Sequence, residues 1–245
     1  MPERAKPKKA AGQNLTAEQE RLFGEQGYLY LPGALAQKTV QPVKAHVLDE
    51  LKRLRIWATG RALSDRMEGI PAFQQVTKLS QLIRYPRLKD RLLSQNLYST
   101  MHRLAGTALA PEQDTQLLIS LPHPDDWTLE GLNWHRDVSG SKLNRLPGVQ
   151  AFVLVNDLLP RGGATLALAG SHTLKQRFQG RQSINRLLNS GAGHSSPPND
   201  TGELILEMAG RAGDVYLMDM RLIHTPSINT TRNVRMVATI RCFTM

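Results

Sequence analysis

The chain has little of several residue types, and each shortage excludes a class of structure. Its 245 residues include one cysteine, Cys242. A single thiol excludes an internal disulfide framework and a zinc site built from several cysteines. No apolar run approaches the roughly 18 residues of a membrane-spanning helix, and the basic N-terminus is not followed by the apolar stretch of a secretory signal. We therefore expect a cytoplasmic protein without a membrane partner.

Aromatic residues are also scarce, at 5% of the chain, while the formal net charge is +10. Proteins that bind single-stranded nucleic acid stack the bases on aromatic side chains, so the scarcity argues against this partner. Much of the excess charge lies in the N-terminal tail and at helical spacings among the leucines of residues 44–103, a pattern typical of solvated helix faces. We expect a small-molecule substrate, and the positive charge favours an anionic one.

The residues that are present predict one domain behind a tail. Hydrophobic residues make up 40% of the chain, enough for one substantial core. Residues 1–14, "MPERAKPKKAAGQN", carry four basic residues and almost no apolar ones, so we predict a disordered basic tail. Residues 15–245 are predicted to form a single domain. We divide it into a helical part at about 15–110, a β-core at about 115–245 and an insertion at about 174–203.

The spacing of apolar residues changes along this domain. It begins with "LTAEQERLFGEQGYLYLPGAL", which has capping-box spacing and predicts a short helix followed by a strand. Apolar residues then recur every three or four positions to about residue 110, which predicts helices. From Gln116 onward, short apolar runs such as "VQAFVLVNDL", "ATLALAG" and "VRMVATIRCF" alternate with glycine and proline. About seven short strands behind helices predict a mainly β fold, a barrel or jelly roll with flanking helices.

The stretch "LNWHRDVSG" contains a candidate metal site. In a strand, residues i and i+2 point to the same face, so His135 and Asp137 would lie side by side. With one more histidine they would form the facial triad that holds Fe(II) and leaves positions open for other ligands. A second match, His123 and Asp125 in "LPHPDDW", has prolines on both sides of the histidine and is predicted to lie in a loop. We favour the strand-borne pair because its geometry is more rigid.

The remaining candidates lie near the C-terminus, in "AGDVYLMDMRLIHTPSINTTRNVRMVATIRCFTM". His224 is predicted to end an apolar strand, and Arg235 lies in the next one, where an antiparallel return would bring it towards His224. An arginine inside a barrel requires a partner, and a carboxylate on a bound co-substrate would supply a bidentate one. Arg241 shares the predicted face of Arg235. It could bind an anionic substrate or pair with an acid at the barrel mouth.

In order and spacing, these segments resemble the phytanoyl-CoA dioxygenase-like family of Fe(II)- and 2-oxoglutarate-dependent oxygenases. The matching segments are the opening "LTAEQERLFGEQGYLYLPGAL", then "GLNWHRD", "GGATLALAGSH" and "AGDVYLMDMRLIHTPSINTTRNVR". The resemblance implies a double-stranded β-helix core of the cupin-like jelly-roll type, with N-terminal helices. It implies that His135, Asp137 and His224 are the Fe(II) ligands. It further implies that Arg235 holds the C5 carboxylate of 2-oxoglutarate and that Gln116 provides a polar contact to the same co-substrate.

The implied reaction is hydroxylation of an unactivated C–H bond in a small metabolite or natural-product intermediate, with O2 and 2-oxoglutarate consumed and succinate and CO2 released. Asp137 favours this outcome, because halogenating relatives have a small residue in place of the carboxylate. The chain departs from the family pattern twice. Pro226 stands where a serine is common, with Ser227 one position later, and an alanine precedes Thr165, to which we assign no role. His172 is expected to anchor a loop.

Two other classes of function are alternatives. A non-catalytic β-barrel module that binds nucleic acid or an acidic partner would use the basic surface, and its binding would weaken steeply with salt. A cupin-type metal isomerase or hydrolase would use the metal site without needing Arg235.

Overall fold

The computed structural model of the protein describes residues 15–112, 115–124, 126–138, 145–174 and 205–245. The predicted tail at 1–14 and nearly all of the predicted insertion lie outside these residues, and so does Asp125 of the second His-x-Asp match.

In the described part of the chain, α-helices cover one side of the major sheet: α1 (Ala17–Gln26), α2 (Gln37–Arg53), α3 (Ala72–Leu82), α4 (Leu88–Leu92) and α5 (Gln95–Ala105). The predicted capping box is present at the start of α1, where Thr16 and Gln19 exchange hydrogen bonds. This helix ends at Gly27, whose φ of 80° suits glycine. A Cβ at Gly27 would lie 2.5 Å from Nδ1 of His172, so the position also permits a close approach of the two segments.

The major sheet is antiparallel and has six strands: β1 (Tyr28–Leu31), β4 (Leu109–Pro111), β5 (Gln116–Ser120), β6 (Gly148–Leu154), β9 (Val215–Asp219) and β11 (Arg235–Thr244). Their order is β1-β9-β6-β11, and both β5 and β4 pair with the outer side of β11. A minor sheet has the order β10 (His224–Pro226), β7 (Thr165–Leu168), β8 (Ile205–Glu207). A short hairpin, β2 (Trp57–Ala58) with β3 (Arg61–Ala62), interrupts the helical part.

Two predicted strands are different in the structure. The segment of the His-x-Asp motif contains only an isolated bridge, in which His135 and His224 exchange two backbone hydrogen bonds of 2.9 Å. The predicted strand "DVYLMDMRLI" is broken after Asp219, whose carboxylate accepts the backbone N–H of Arg221, and His224 begins β10 instead of ending a strand. The predicted antiparallel return is therefore wrong, because β10 and β11 belong to different sheets.

The major sheet is buried on both faces. On one face, alternate residues such as Val149, Ala151 and Ile240 join the apolar faces of the helices in one cluster. On the other face, Phe152 and Met218 pack with residues of the minor sheet in a second cluster. Two antiparallel sheets around an interior, with helices outside, form the predicted mainly β, double-stranded β-helix architecture. No helix in the described part of the chain has the length and apolar character to cross a membrane.

Candidate metal and co-substrate site

Three side chains converge on one point inside the barrel. The metal-binding atoms of His135, Asp137 and His224 all lie within 4.8 Å of one another. The Asp137 carboxylate oxygens are 4.0 Å from Nε2 of His135 and 3.8 Å from Nε2 of His224. The backbone bridge between the two histidines holds their rings with centroids 4.4 Å apart. The predicted triad residues are thus brought together, although the segment that carries two of them is not a regular strand.

Both histidines present Nε2 to this point because their other ring nitrogen is occupied. Nδ1 of His135 lies 2.8 Å from the carbonyl oxygen of Asn133, and Nδ1 of His224 lies 3.0 Å from that of Leu222. A carbonyl oxygen only accepts, so each Nδ1 carries the proton and each Nε2 has a free lone pair. Burial lowers the pKa of His224, and the nearby Asp137 carboxylate opposes this shift. The neutral imidazole required of a metal ligand is therefore the favoured form.

The Asp137 carboxylate also requires a partner. Its Oδ2 atom is buried and accepts no hydrogen bond from the described residues. A buried carboxylate oxygen that faces the lone pairs of two imidazole nitrogens costs free energy unless a cation lies between the three groups. Two imidazoles and one carboxylate are the donor set of the facial triad of non-haem Fe(II) sites. The three side chains therefore fit a bound metal ion.

A second unpaired group lies in the same barrel. Arg235 is only 1% exposed, and its Nη2 donates to Oγ1 of Thr165 on β7 at 2.9 Å. Its Nε and Nη1 atoms are buried without a hydrogen-bond acceptor, and burial lowers the pKa of Arg235 to about 10. The described residues place no carboxylate within ion-pair distance of this guanidinium. A carboxylate on a ligand would neutralise this charge and accept hydrogen bonds from one edge of the guanidinium, which combines the second N–H of Nη2 with Nε or Nη1.

Thr165 is a site residue that the sequence did not assign. It lines the cavity beside the triad and fixes one side of the Arg235 guanidinium. Gly163 permits this arrangement, since its φ is 79° and a Cβ there would lie 3.4 Å from Cδ of Arg235 and 2.9 Å from Cβ of Asn229. In the sequence, the two adjacent glycines before Ala164 were the feature that could have indicated this close contact.

A cavity of about 290 Å³ opens in front of the triad. Its floor consists of interior side chains of β5, β6 and β11, including Gln116, Gln150 and Arg241. Helix α3 forms the opposite wall through Phe73, Val76 and other residues. The Phe73 ring packs edge-on at 6.3 Å from that of His135. The sequence predicted helices in this region but gave no indication that one of them would close the barrel.

Gln116 and Ser227 differ in their surroundings. Gln116 lines the cavity opposite Thr239 of β11, four positions along β5 from Ser120, which pairs with Arg235. The Ser227 hydroxyl is buried and donates to the carbonyl of Ala164, so it is structural.

His172 and Arg241 both contact other parts of the protein. Nε2 of His172 lies 3.0 Å from the carbonyl oxygen of Gly24, in agreement with the expected loop anchor. Arg241 lines the cavity and also pairs with an acid, since its Nε lies 3.2 Å from Oε2 of Glu112. Of the two alternatives for Arg241, the pairing with an acid is present, and the binding of an anionic substrate stays a prediction.

The sequence profile of the family described as phytanoyl-CoA dioxygenase (PhyH) matches residues 23–237. The chain belongs to the phytanoyl-CoA dioxygenase family. By this membership it is an iron- and 2-oxoglutarate-dependent oxygenase, as the resemblance implied. The triad and Arg235 both lie within the matched range. A search of curated protein sequences finds no significant match.

Solved structures with the same fold include one protein described as α-ketoglutarate-dependent and two solved with 2-oxoglutarate bound. The α-ketoglutarate-dependent carbocyclase SnoK of nogalamycin biosynthesis is 22% identical, with a TM-score of 0.64 over 94% of this chain and 85% of its own. HygX from Streptomyces hygroscopicus, solved with nickel and 2-oxoglutarate, is 18% identical, with a TM-score of 0.59 over 95% and 88%. EctD from S. alaskensis, solved with 2-oxoglutarate and 5-hydroxyectoine, is 17% identical, with a TM-score of 0.63 over 98% and 79%. At these identities the likeness establishes the double-stranded β-helix fold.

Proposed function

We propose that this member of the phytanoyl-CoA dioxygenase family hydroxylates a C–H bond of a small metabolite or natural-product intermediate. His135, Asp137 and His224 would hold Fe(II). Arg235 would hold the C5 carboxylate of 2-oxoglutarate, and Gln116 would contribute a polar contact to the same co-substrate. The observation that carries the proposal is that one barrel holds a carboxylate and a buried guanidinium for which the described residues supply neither a cation nor an anion.

The triad residues would hold the metal without a large rearrangement. Two backbone carbonyls orient the imidazoles, and the backbone bridge fixes the distance between the segments that carry them. Preorganisation of this kind is what a metal site requires from its supporting contacts. Three ligands on one side leave the opposite side for co-substrate and O2. When bound, iron would activate O2, which is the oxidant: one oxygen atom would enter the substrate and the other succinate, while 2-oxoglutarate would supply two electrons and lose CO2.

Arg235 would orient the co-substrate through its distal carboxylate. Thr165 holds Nη2, so the remaining nitrogens keep a fixed direction before the ligand arrives. A guanidinium preorganised in a water-poor interior binds a carboxylate by two parallel hydrogen bonds. Phe152, Leu118 and Val76 line the cavity with apolar surface, which limits the access of water to the reacting atoms.

Hydroxylation is the reaction that the metal ligands favour. Asp137 supplies a carboxylate at the position that halogenating relatives leave open. SnoK, a carbocyclase, shows that the fold supports other oxidative outcomes as well. The mass of the product separates these outcomes, because hydroxylation adds one oxygen atom to the substrate whereas cyclisation or desaturation removes two hydrogens.

The test is turnover of 2-oxoglutarate to succinate by the Fe(II)-loaded protein across a panel of metabolites, together with calorimetric binding of Ni²⁺ and 2-oxoglutarate. We expect His135→Ala, Asp137→Ala and His224→Ala each to lower metal affinity by more than about 100-fold and to abolish turnover. His102→Ala, at an exposed position of α5, is the matched control. A folded protein that does not bind 2-oxoglutarate, and whose metal affinity survives these changes, would contradict the proposal.

A further inference from the structure

Gln150 is a polar residue in an apolar environment. It lies on β6, it is 4% exposed and its side chain lines the cavity. Its neighbours along the strand, Val149 and Ala151, pack against the helices. The amide oxygen of Gln150 is buried and has no hydrogen-bond partner among the described residues. A buried amide that is left unsatisfied costs stability, so its retention inside a cavity points to a ligand that satisfies it.

Arg241 is the direct partner of Gln150 across the β6–β11 pairing, so the two side chains are neighbours on the interior face. Glu112 holds Arg241 from behind. Its Oε2 lies 3.2 Å from Nε of Arg241, and its backbone N–H donates to the Arg241 carbonyl at 2.8 Å. The contact with Glu112 is at Nε, which leaves the terminal nitrogens of Arg241 for the cavity. Among the described residues that line the cavity, Arg241 is the one lysine or arginine.

The pair formed by Gln150 and Arg241 is separate from the proposed co-substrate site. Six positions of β11 separate Arg235 from Arg241, which is at most about 20 Å between their Cα atoms. Two rows of interior side chains lie between them: Val237 with Leu118 and Leu154, and Thr239 with Gln116 and Phe152. Gln116, the proposed polar contact of the co-substrate, thus borders the pair without being part of it. A dicarboxylate held between Arg235 and the triad would therefore leave Gln150 and Arg241 free for another molecule.

We propose that Gln150 and Arg241 form the specificity site of the substrate and that they bind a carboxylate of it, in front of the metal. The proposal rests on the proposed function. Arg241 would donate from its terminal nitrogens, and the Gln150 amide would donate to the carboxylate from Nε2 while its oxygen accepts from a hydroxyl or amine on the substrate.

The cavity also limits the size of the substrate. At about 290 Å³ it is at the small end of ligand pockets, which range over about 300–1,000 Å³. It must also admit the co-substrate. The substrate that fits is a small carboxylic acid, or a larger molecule that inserts its carboxylate end.

The test compares small carboxylic acids with their neutral amides. Acetate, propionate and benzoate, each with its primary amide, are titrated by ligand-observed NMR into the protein loaded with Ni²⁺ and saturated with 2-oxoglutarate. We expect at least one acid to bind about tenfold or more tightly than its amide. Arg241→Met should abolish this preference, Arg241→Lys should retain part of it, and Gln150→Glu should abolish it by placing a like charge beside the acid.

Two controls make the result specific to this pair. Arg53→Met removes an arginine from a surface ion pair with Glu50 on α2 and should leave the acid preference unchanged. Glu112→Gln keeps an acceptor for Nε of Arg241 but removes the competing charge, so the acid preference should persist or increase. The affinity for 2-oxoglutarate in Arg241→Met should stay within about twofold of the wild-type value, since the rows of Val237 and Thr239 separate Arg241 from Arg235.

Several results would overturn the inference. The first is that the wild-type protein binds acids and amides equally well, or binds none of them. The second is an acid preference that survives Arg241→Met. The third is a loss of 2-oxoglutarate affinity in Arg241→Met, which would assign Arg241 to the co-substrate. Failure of the proposed function has a different signature, because the wild-type protein would then not bind 2-oxoglutarate at all.

Discussion

The two faces of the major sheet both contain fully buried residues, and these residues are chemically opposite. The face towards the helices consists of apolar residues such as Val149, Ala151 and Ile240, which pack in one cluster with the helices and require no ligand. The interior face carries Arg235 and Gln150, and each has at least one buried polar atom without a partner among the described residues: Nε and Nη1 of Arg235, and Oε1 of Gln150. Burial alone therefore does not identify the site. Polar groups that remain unsatisfied distinguish the face that binds from the face that stabilises.

This contrast has an energetic meaning. A buried cation without a partner costs free energy in the ligand-free protein, and a ligand that pairs with it recovers that cost as affinity. Substitutions on the interior face should thus change binding more than stability, and substitutions on the helix face should do the reverse.

The largest expected effect is that of Arg235→Met on the interior face. The affinity for 2-oxoglutarate should fall by about 100- to 1,000-fold, because the substitution removes one partner of a buried charge pair. The free energy of unfolding of the ligand-free protein should stay the same or rise, since a desolvated cation is replaced by an apolar side chain of similar length.

Calorimetry with 2-oxoglutarate and urea unfolding measure the two effects of Arg235→Met. Strong destabilisation would show that the guanidinium is structural and would break the contrast between the faces. Unchanged 2-oxoglutarate affinity would instead favour the cupin-type isomerase or hydrolase.

On the helix face, Ile240→Ala is the matched substitution, one residue from Arg241 on the same strand. Ile240 is 1% exposed within the apolar cluster, so truncation should lower the free energy of unfolding by about 3 kcal/mol. The dissociation constant of 2-oxoglutarate should change little. Chemical unfolding and calorimetry on one preparation test both statements, and a binding defect equal to that of Arg235→Met would show that the faces are not independent.

The smallest expected effect is a dependence on pH from His224. Burial lowers the pKa of His224 below its ordinary value of 6.5, so the unfolded chain takes up this proton more readily than the folded protein. The free energy of unfolding of the metal-free protein should therefore decrease as the pH falls below 6.5, until the pH reaches the lowered pKa. Urea unfolding between about pH 5 and 8 would show this slope. His224→Asn should flatten it, whereas a similar flattening in His102→Gln would assign it elsewhere.

Much of this could be predicted from the sequence. The change in apolar spacing after residue 110 predicted the β-core, and the motifs of His135, Asp137 and His224 predicted which three side chains would come together. The prediction succeeded although the motif segment is irregular, because one backbone bridge is enough to align two side chains. The roles of these residues as iron and co-substrate ligands remain a prediction.

The sequence did not reveal the residues whose importance comes from tertiary contacts. Gln150 lies in "GVQAFVL", where every residue is buried, so no alternation of polar and apolar residues marks the interior face. The contact of Thr165 with Arg235 joins strands of different sheets, 70 residues apart in the chain. The break after Asp219 depends on the carboxylate accepting a backbone N–H two residues later, which apolar spacing does not indicate.

The place of β11 in the major sheet has a consequence for how the protein is made. This strand comes last among the described strands in chain order, yet it lies between β6 and β5. A chain emerging from the ribosome presents its N-terminal segments first, so β6 and β5 must wait for their shared neighbour. His135 likewise waits 89 residues for His224. The proposed metal site would therefore be complete only once His224 has been synthesised.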